Sequence, residues 1–219
     1  MTDLAGGLIG VGGWTLMPTH FAERHNLVII LALGESIIAL GVGTHVALTA
    51  PVTVAVVLGV TLASALWWIY FDVVALISAK RLGEAEAGKT QNDLARDSYS
   101  YIHLLMVVGI VLVAFGLKVT IAHHGEHLHA VPAFALFGGV AIYLLGLVAF
   151  RYRHVHSINR QRLGLAIVLL ILVPVATAVP ALIALAVVAV LMWVMIAYEH
   201  RSYGEGRNQL RHEAAVGHA

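Results

Sequence analysis

The sequence predicts an all-α integral membrane protein, a polytopic helix bundle of about six transmembrane helices with both termini cytoplasmic. Three observations carry that reading. Of 219 residues, 60% are hydrophobic and only 11% are charged, less than half the roughly 25% charged share of a soluble domain. The mean hydropathy is +0.88, and several apolar runs reach the ~18 residues needed to cross about 30 Å of hydrocarbon. Finally, Lys and Arg are confined almost entirely to alternate connections, the signature of a chain that crosses repeatedly.

The elements follow in chain order. Residues 1–23 read as an N-terminal loop or interfacial segment, because the apolar stretch 4–17 holds five glycines. The transmembrane domain covers 24–198. Its first span, 24–43, is entered through Pro18 and a polar turn of His20, Glu23, Arg24 and His25, and proline is a good start signal. The second, third and fourth spans are 52–78, 99–121 and 132–150. Residues 163–198 are too long for one span, and Pro174 and Pro180 with Thr177 between them suggest a tight reversal. That gives spans 163–178 and 181–198, with one tilted, kinked helix as the alternative. The connection 79–98 is polar and partly helical, and the tail 199–219 is polar, cytoplasmic and frayed. No internal repeat is evident, although six spans invite a test for a three-plus-three duplication.

Twelve of the thirteen Lys and Arg residues fall on the side where the first span begins, and Lys118 alone falls on the other. The positive-inside rule makes the arginine-rich side cytoplasmic in a multi-pass membrane protein. Other classes fall away. A net charge of +1 offers no electrostatic reason to bind nucleic acid. The absence of cysteine excludes disulfides, thiol catalysis and zinc–thiolate sites. There is no Walker loop, no GxGxxG opening a helix and no HExxH. The N-terminus lacks the basic region of a cleaved signal peptide, and the unbroken apolar runs exclude the alternating strands of an outer-membrane barrel.

Ionisable residues inside a membrane are costly, so each is a functional candidate. Three qualify: Glu35, Asp72 and His103. At 1.5 Å per residue, Glu35 lies roughly 16 Å beyond Arg24, near the midplane, Asp72 roughly 12 Å inside Lys80, and His103 roughly 10 Å inside Arg96. Asp72 and His103 share a depth on consecutive spans, which predicts a direct pair. With His20, Glu23 and Arg24 at the cytoplasmic mouth, the three form a proton- or ion-relay candidate set at the end of a polar funnel. Thr61, Ser64 or Ala65, Trp68 and Asp72 share one helix face, as do Tyr99 and His103. The plainer readings stay open. Glu35 is then a protonated, hydrogen-bonded acid, Asp72 with His103 a packing clamp, and Glu23 with Arg24 an interfacial ion pair. Trp67, Trp68 and Tyr70 then form part of an aromatic belt. Gly34, Gly41 and Gly43 are read as permitting close helix packing, with a hinge as the other option. The outer loop, HHGEHLH from His123 to His129, carries His123, His124, His127 and His129. It is a weak candidate for a divalent metal, adventitious rather than catalytic. No cofactor is expected.

The segments HFAERHNLVIILALGESIIALGVG (20–43), LWWIYFD (66–72) and YIHLLMVVGIVL (101–112) resemble, in order, the bacterial low temperature requirement protein A family. The resemblance covers most of the chain. It singles out His20, Glu23, Arg24, Glu35 and Ser36 in the first segment, Trp67, Tyr70 and Asp72 in the second, and Tyr101 and His103 in the third. It implies a membrane protein of the cell envelope associated by name with growth in the cold, and it implies no established activity. Family members are typically near twice this length, and this chain resembles their C-terminal half. Self-association or a separate N-terminal half would then supply a missing wall of the funnel. The expected function is a transporter or channel for protons or small ions working through the midplane acid. The alternative is a non-catalytic component supporting the membrane in the cold. An intramembrane hydrolase fits less well, because no span holds two histidines.

Overall fold

A computed structural model describes residues 16–42 and 49–216. The glycine-rich stretch up to residue 15, and Gly43, lie outside them. The described residues form helices and connections, with no strand element. The helices are α1 (Pro18–Val42), α2 (Ala50–Phe71), α3 (Val74–Glu84) and α4 (Lys89–Ala95), then a π-helix at Arg96–Ile102. They continue with α5 (His103–Ala122), α6 (Ala130–Val155), α7 (Arg160–Ala176) and α8 (Ala181–Val216). Four helical stretches are long and apolar enough to cross a membrane: Ala50–Glu84, Lys89–Ala122, Ala130–Val155 and Ala181–Ser202. The two other stretches read as spans form helices of 25 and 17 residues, α1 and α7. The chain is a helical membrane protein.

Local chemistry explains where the helices begin and end. Pro51 occupies the first turn of α2, where its missing N–H removes nothing. Asn159 caps α7, its Oδ1 accepting from the backbone N–H of Gln161 (3.1 Å) and Arg162 (3.2 Å). His156 stops α6 in the left-handed region, at φ 53°. Pro174 sits in the last turn of α7, and the chain reverses over 177–180 before α8. The tail does not fray at His200, because α8 runs on to Val216. Its extension holds three Arg, two Glu, two Ala and two Gly and no proline, so no residue forces a stop. Between α3 and α4 the chain turns at Gly88, whose φ of 105° and ψ of −136° are open only to glycine. Gly88→Ala is therefore expected to cost about 1–3 kcal/mol, read as a lowered melting temperature, whereas Gly83→Ala in the last turn of α3, where a Cβ would meet nothing within 4 Å, should not lower it.

The core centres on α6, which packs along α5 and α7, while α1 packs on α5 and α2 on α8. The α5–α6 crossing is made by glycine. A Cβ on Gly109 would lie 2.7 Å from both the Gly139 carbonyl oxygen and the Tyr143 nitrogen, and one on Gly116 would lie 2.8 Å from the Leu136 nitrogen. The expectation for the first span's glycines is corrected here. A Cβ at Gly34 or Gly41 would meet nothing within 4 Å.

At the opposite end from most arginines, the histidine loop docks on the α7–α8 turn. The Ala181 N–H donates to the Glu126 carbonyl (2.8 Å) and the Leu182 N–H to that of His124 (3.2 Å). The loop thereby satisfies first-turn donors of α8 that have no partner within the helix.

Candidate functional site

Two polar assemblies lie at the arginine-rich end, and both are flanked by irregular helix. The first begins with a break between α2 and α3, where Val73 takes φ −141°, ψ −35° and Asp72 is buried at the end of α2. The second irregularity is the π-helix, which carries Tyr99 and delivers His103 to the start of α5. Single π-helical turns in α-helices are rare and concentrate at functional sites.

Around these breaks His25, Tyr99, His103 and His154 form a ladder of rings. Ring centres lie 5.4 Å apart for His25–His103, 6.1 Å for Tyr99–His103 and 5.9 Å for Tyr99–His154. Phe21 and Phe150 complete the walls. Each imidazole places one nitrogen against a main-chain carbonyl: His25 Nδ1 on Phe21 (2.8 Å), His103 Nε2 on His25 (3.0 Å) and His154 Nδ1 on Phe150 (2.9 Å). A carbonyl oxygen only accepts, so each of those nitrogens carries the proton. The opposite nitrogens of His103 (Nδ1) and His154 (Nε2) are buried with no hydrogen-bond partner. They are therefore bases enclosed in an aromatic box. Beside them Tyr70 donates to Asn26 Oδ1 (2.8 Å), tying α2 to α1.

This arrangement differs from the expected one. His103 Nε2 is seated on the His25 carbonyl and its Nδ1 has no hydrogen-bond partner, so it makes no hydrogen bond to Asp72. Glu35 does not join the set at all. It lies on the exposed face of α1 with Leu31 and Ile38, while Ile29, Leu33 and Ser36 face inward. His20, Glu23 and Arg24 are exposed, with His20 Nδ1 3.5 Å from Glu23 Oε2. Of the aromatic residues, Tyr70 and Tyr99 are buried, whereas Trp67 and Tyr101 point outward. Trp68 is partly buried, its Nε1 enclosed without a hydrogen-bond partner. Thr61 and Ser64 donate to carbonyls of their own helix, those of Val57 and Val60. In the outer loop, His123, His124, His127 and His129 do not converge. Among the described residues no three His, Asp or Glu side chains are grouped to hold a metal.

The second assembly was not anticipated. Arg162 at the start of α7 and Glu199 on α8 form a buried bidentate pair, Nε to Oε1 and Nη2 to Oε2, both 2.9 Å. Asn159 Nδ2 adds a third donor to Glu199 (2.8 Å). Arg162 Nη1 reaches the Ile69 carbonyl (3.4 Å), one turn before the break, where an unbroken helix would use that oxygen itself. The pair thus staples the broken helix to α7 and α8. A signal existed in the sequence: Arg162 opens the apolar run before the Pro174–Pro180 reversal and Glu199 closes the run after it, so the reversal brings both to the same end of the bundle.

A family model described as bacterial low temperature requirement A protein matches residues 6–197. The chain belongs to this low temperature requirement A family. It is also 30% identical over 190 residues to the uncharacterized protein RA0937 of Rhizobium meliloti (strain 1021). That match takes in 83% of this chain and 45% of the relative, so the chain spans less than half the length of the curated relative it matches. No solved structure matches the chain. The family's members are linked here by sequence alone, and what the ladder and the buried pair do in this low temperature requirement A chain rests on their geometry.

Proposed function

We propose that this chain conducts or transports protons or small ions across the bacterial plasma membrane, through six spans with both termini on the arginine-rich, cytoplasmic side. One observation carries the reading: buried imidazoles with unpartnered nitrogens lie beside two breaks in otherwise regular membrane helices. Irregular backbone at membrane depth is tolerated only where protein buries it or it lines a cavity, and transporters place their sites at interrupted helices. The chemistry fits a relay. An imidazole that donates through one nitrogen and holds a lone pair on the other takes a proton on the second and releases one from the first. His103 and His154 are each set up in this way, with Tyr99 between them, and Asp72 adds a buried carboxyl at the adjacent break.

The test is proton flux into proteoliposomes driven by an imposed potassium diffusion potential. Wild-type protein is expected to collapse the gradient well above empty vesicles. His103→Gln keeps a hydrogen-bonding side chain but removes the titratable ring, and should lose tenfold or more of the flux at unchanged melting temperature. Wild-type flux no greater than that of empty vesicles, or unchanged flux in His103→Gln, would overturn the reading. A growth defect in the cold that Asp72→Asn and His103→Gln fail to reproduce would favour a supporting, non-transporting role instead.

A further inference from the structure

Between the broken α2–α3 helix, the α6–α7 connection and the middle of α8 lies a cavity of about 160 Å³, lined by Ser78, Arg151, Asn159, Arg162 and Glu199 among apolar residues such as Ile77. A water needs roughly 10–15 Å³ by the same kind of measure, so the space admits a group of several heavy atoms. We infer that this cavity is a binding site for a phosphate-bearing group, with Arg151 as its cation. This goes beyond the transport reading and does not depend on it.

The charges lining the cavity are Arg151, Arg162 and Glu199. Glu199 is fully engaged by Arg162 and Asn159, so that pair contributes no net charge and presents no free carboxylate to an anion. Arg151 is the surplus cation of the three; it acts on Glu199 through space and makes no hydrogen bond to it. Its Nε donates to Ser157 Oγ (3.0 Å), which fixes the side chain, while its two terminal nitrogens have no hydrogen-bond partner among the described residues. Other arginines near this end are differently placed: Arg153 and Arg96 share Asp97, and Arg160 is exposed and outside the cavity. Ser78, only 2% exposed to solvent, adds a hydroxyl donor to the wall. A guanidinium fork and a hydroxyl in the wall of one cavity suit a phosphoryl group, which offers several acceptors at once. Apolar walls strengthen the attraction by excluding water. The position, between helices at the arginine-rich end, also suits a lipid headgroup, since basic pockets of this kind hold anionic lipids.

Two sources share this chemistry, and the test separates them. Thermal unfolding of the purified protein is followed with inorganic phosphate, and separately in nanodiscs of phosphatidylcholine with or without phosphatidylglycerol. Stabilisation by inorganic phosphate marks a free-anion site, and stabilisation by phosphatidylglycerol alone marks a headgroup site. In either arm Arg151→Gln should weaken the apparent affinity by tenfold or more, Arg151→Lys less, and Ser78→Ala by a few-fold. Arg160→Gln, which removes the same charge at the same end, should change little. Equal losses in Arg151→Gln and Arg160→Gln would reduce the effect to surface charge and overturn the proposal, as would no stabilisation by either probe. If Arg151→Gln lowers the unliganded melting temperature, Ser78→Ala and Arg151→Lys decide the matter.

Discussion

Glu199→Gln is expected to destabilise the protein by about 3–5 kcal/mol, the range for removing one partner of a buried ion pair. The residue is 4% exposed, and both of its oxygens are bonded to Arg162, itself 7% exposed. Glutamine keeps the shape but leaves a guanidinium buried beside the Ile69 carbonyl with no counter-charge. The loss is structural as well as electrostatic, because Glu199 ties α8 to the cap of α7 and to Arg162, which in turn holds the break in α2–α3. The double variant Arg162→Met with Glu199→Leu is expected to recover most of the stability, since two apolar groups of similar volume need no desolvation. The measurement is thermal unfolding in detergent for both singles and the double. A Glu199→Gln protein as stable as wild type would show that the pair is not buried as described.

Gly109→Val is expected to be comparably damaging, for a steric reason. The positions a Cβ would meet are backbone atoms of Gly139 and Tyr143, which yield only if α5 and α6 move apart. Overpacking typically costs about 1–3 kcal/mol, occasionally more, and a clash with backbone belongs at the upper end. Separating the helices would also strain the hydrogen bond from the Tyr143 hydroxyl to the Leu66 carbonyl (2.9 Å), which ties α6 to α2. Gly139→Val should behave alike, because its added Cβ would lie 2.9 Å from the Gly109 oxygen. Gly34→Ala provides the contrast. With nothing within 4 Å, it should be neutral or stabilising by up to about 1 kcal/mol, as glycine-to-alanine is in a helix interior. Comparable losses in Gly34→Ala and Gly109→Val would refute the close crossing.

Several features were legible in the sequence alone: the helical membrane class, the family, and the burial of Asp72 and His103. Each depends on a property that runs along the chain. Apolar length sets what can enter hydrocarbon, and a polar group inside such a run must be enclosed or exposed at high cost. Which groups meet depends instead on how each helix is rotated and where it breaks. His103, at the end of the π-helix, bonds the His25 carbonyl and not Asp72. The rotation of α1 sends Ser36 inward and Glu35 outward, although the two are neighbours in sequence. Glycines of α5 and α6, not those of α1, make the close crossing, because only their faces meet a second backbone. Arg162 and Glu199 read along the chain as loop and tail charges, and only the folding of α7 beside α8 buries them against each other. The sequence by itself determined which segments seek the membrane. The tertiary structure decided which side chains face one another there, because rotation and register come from packing between helices and not from the composition of any one of them.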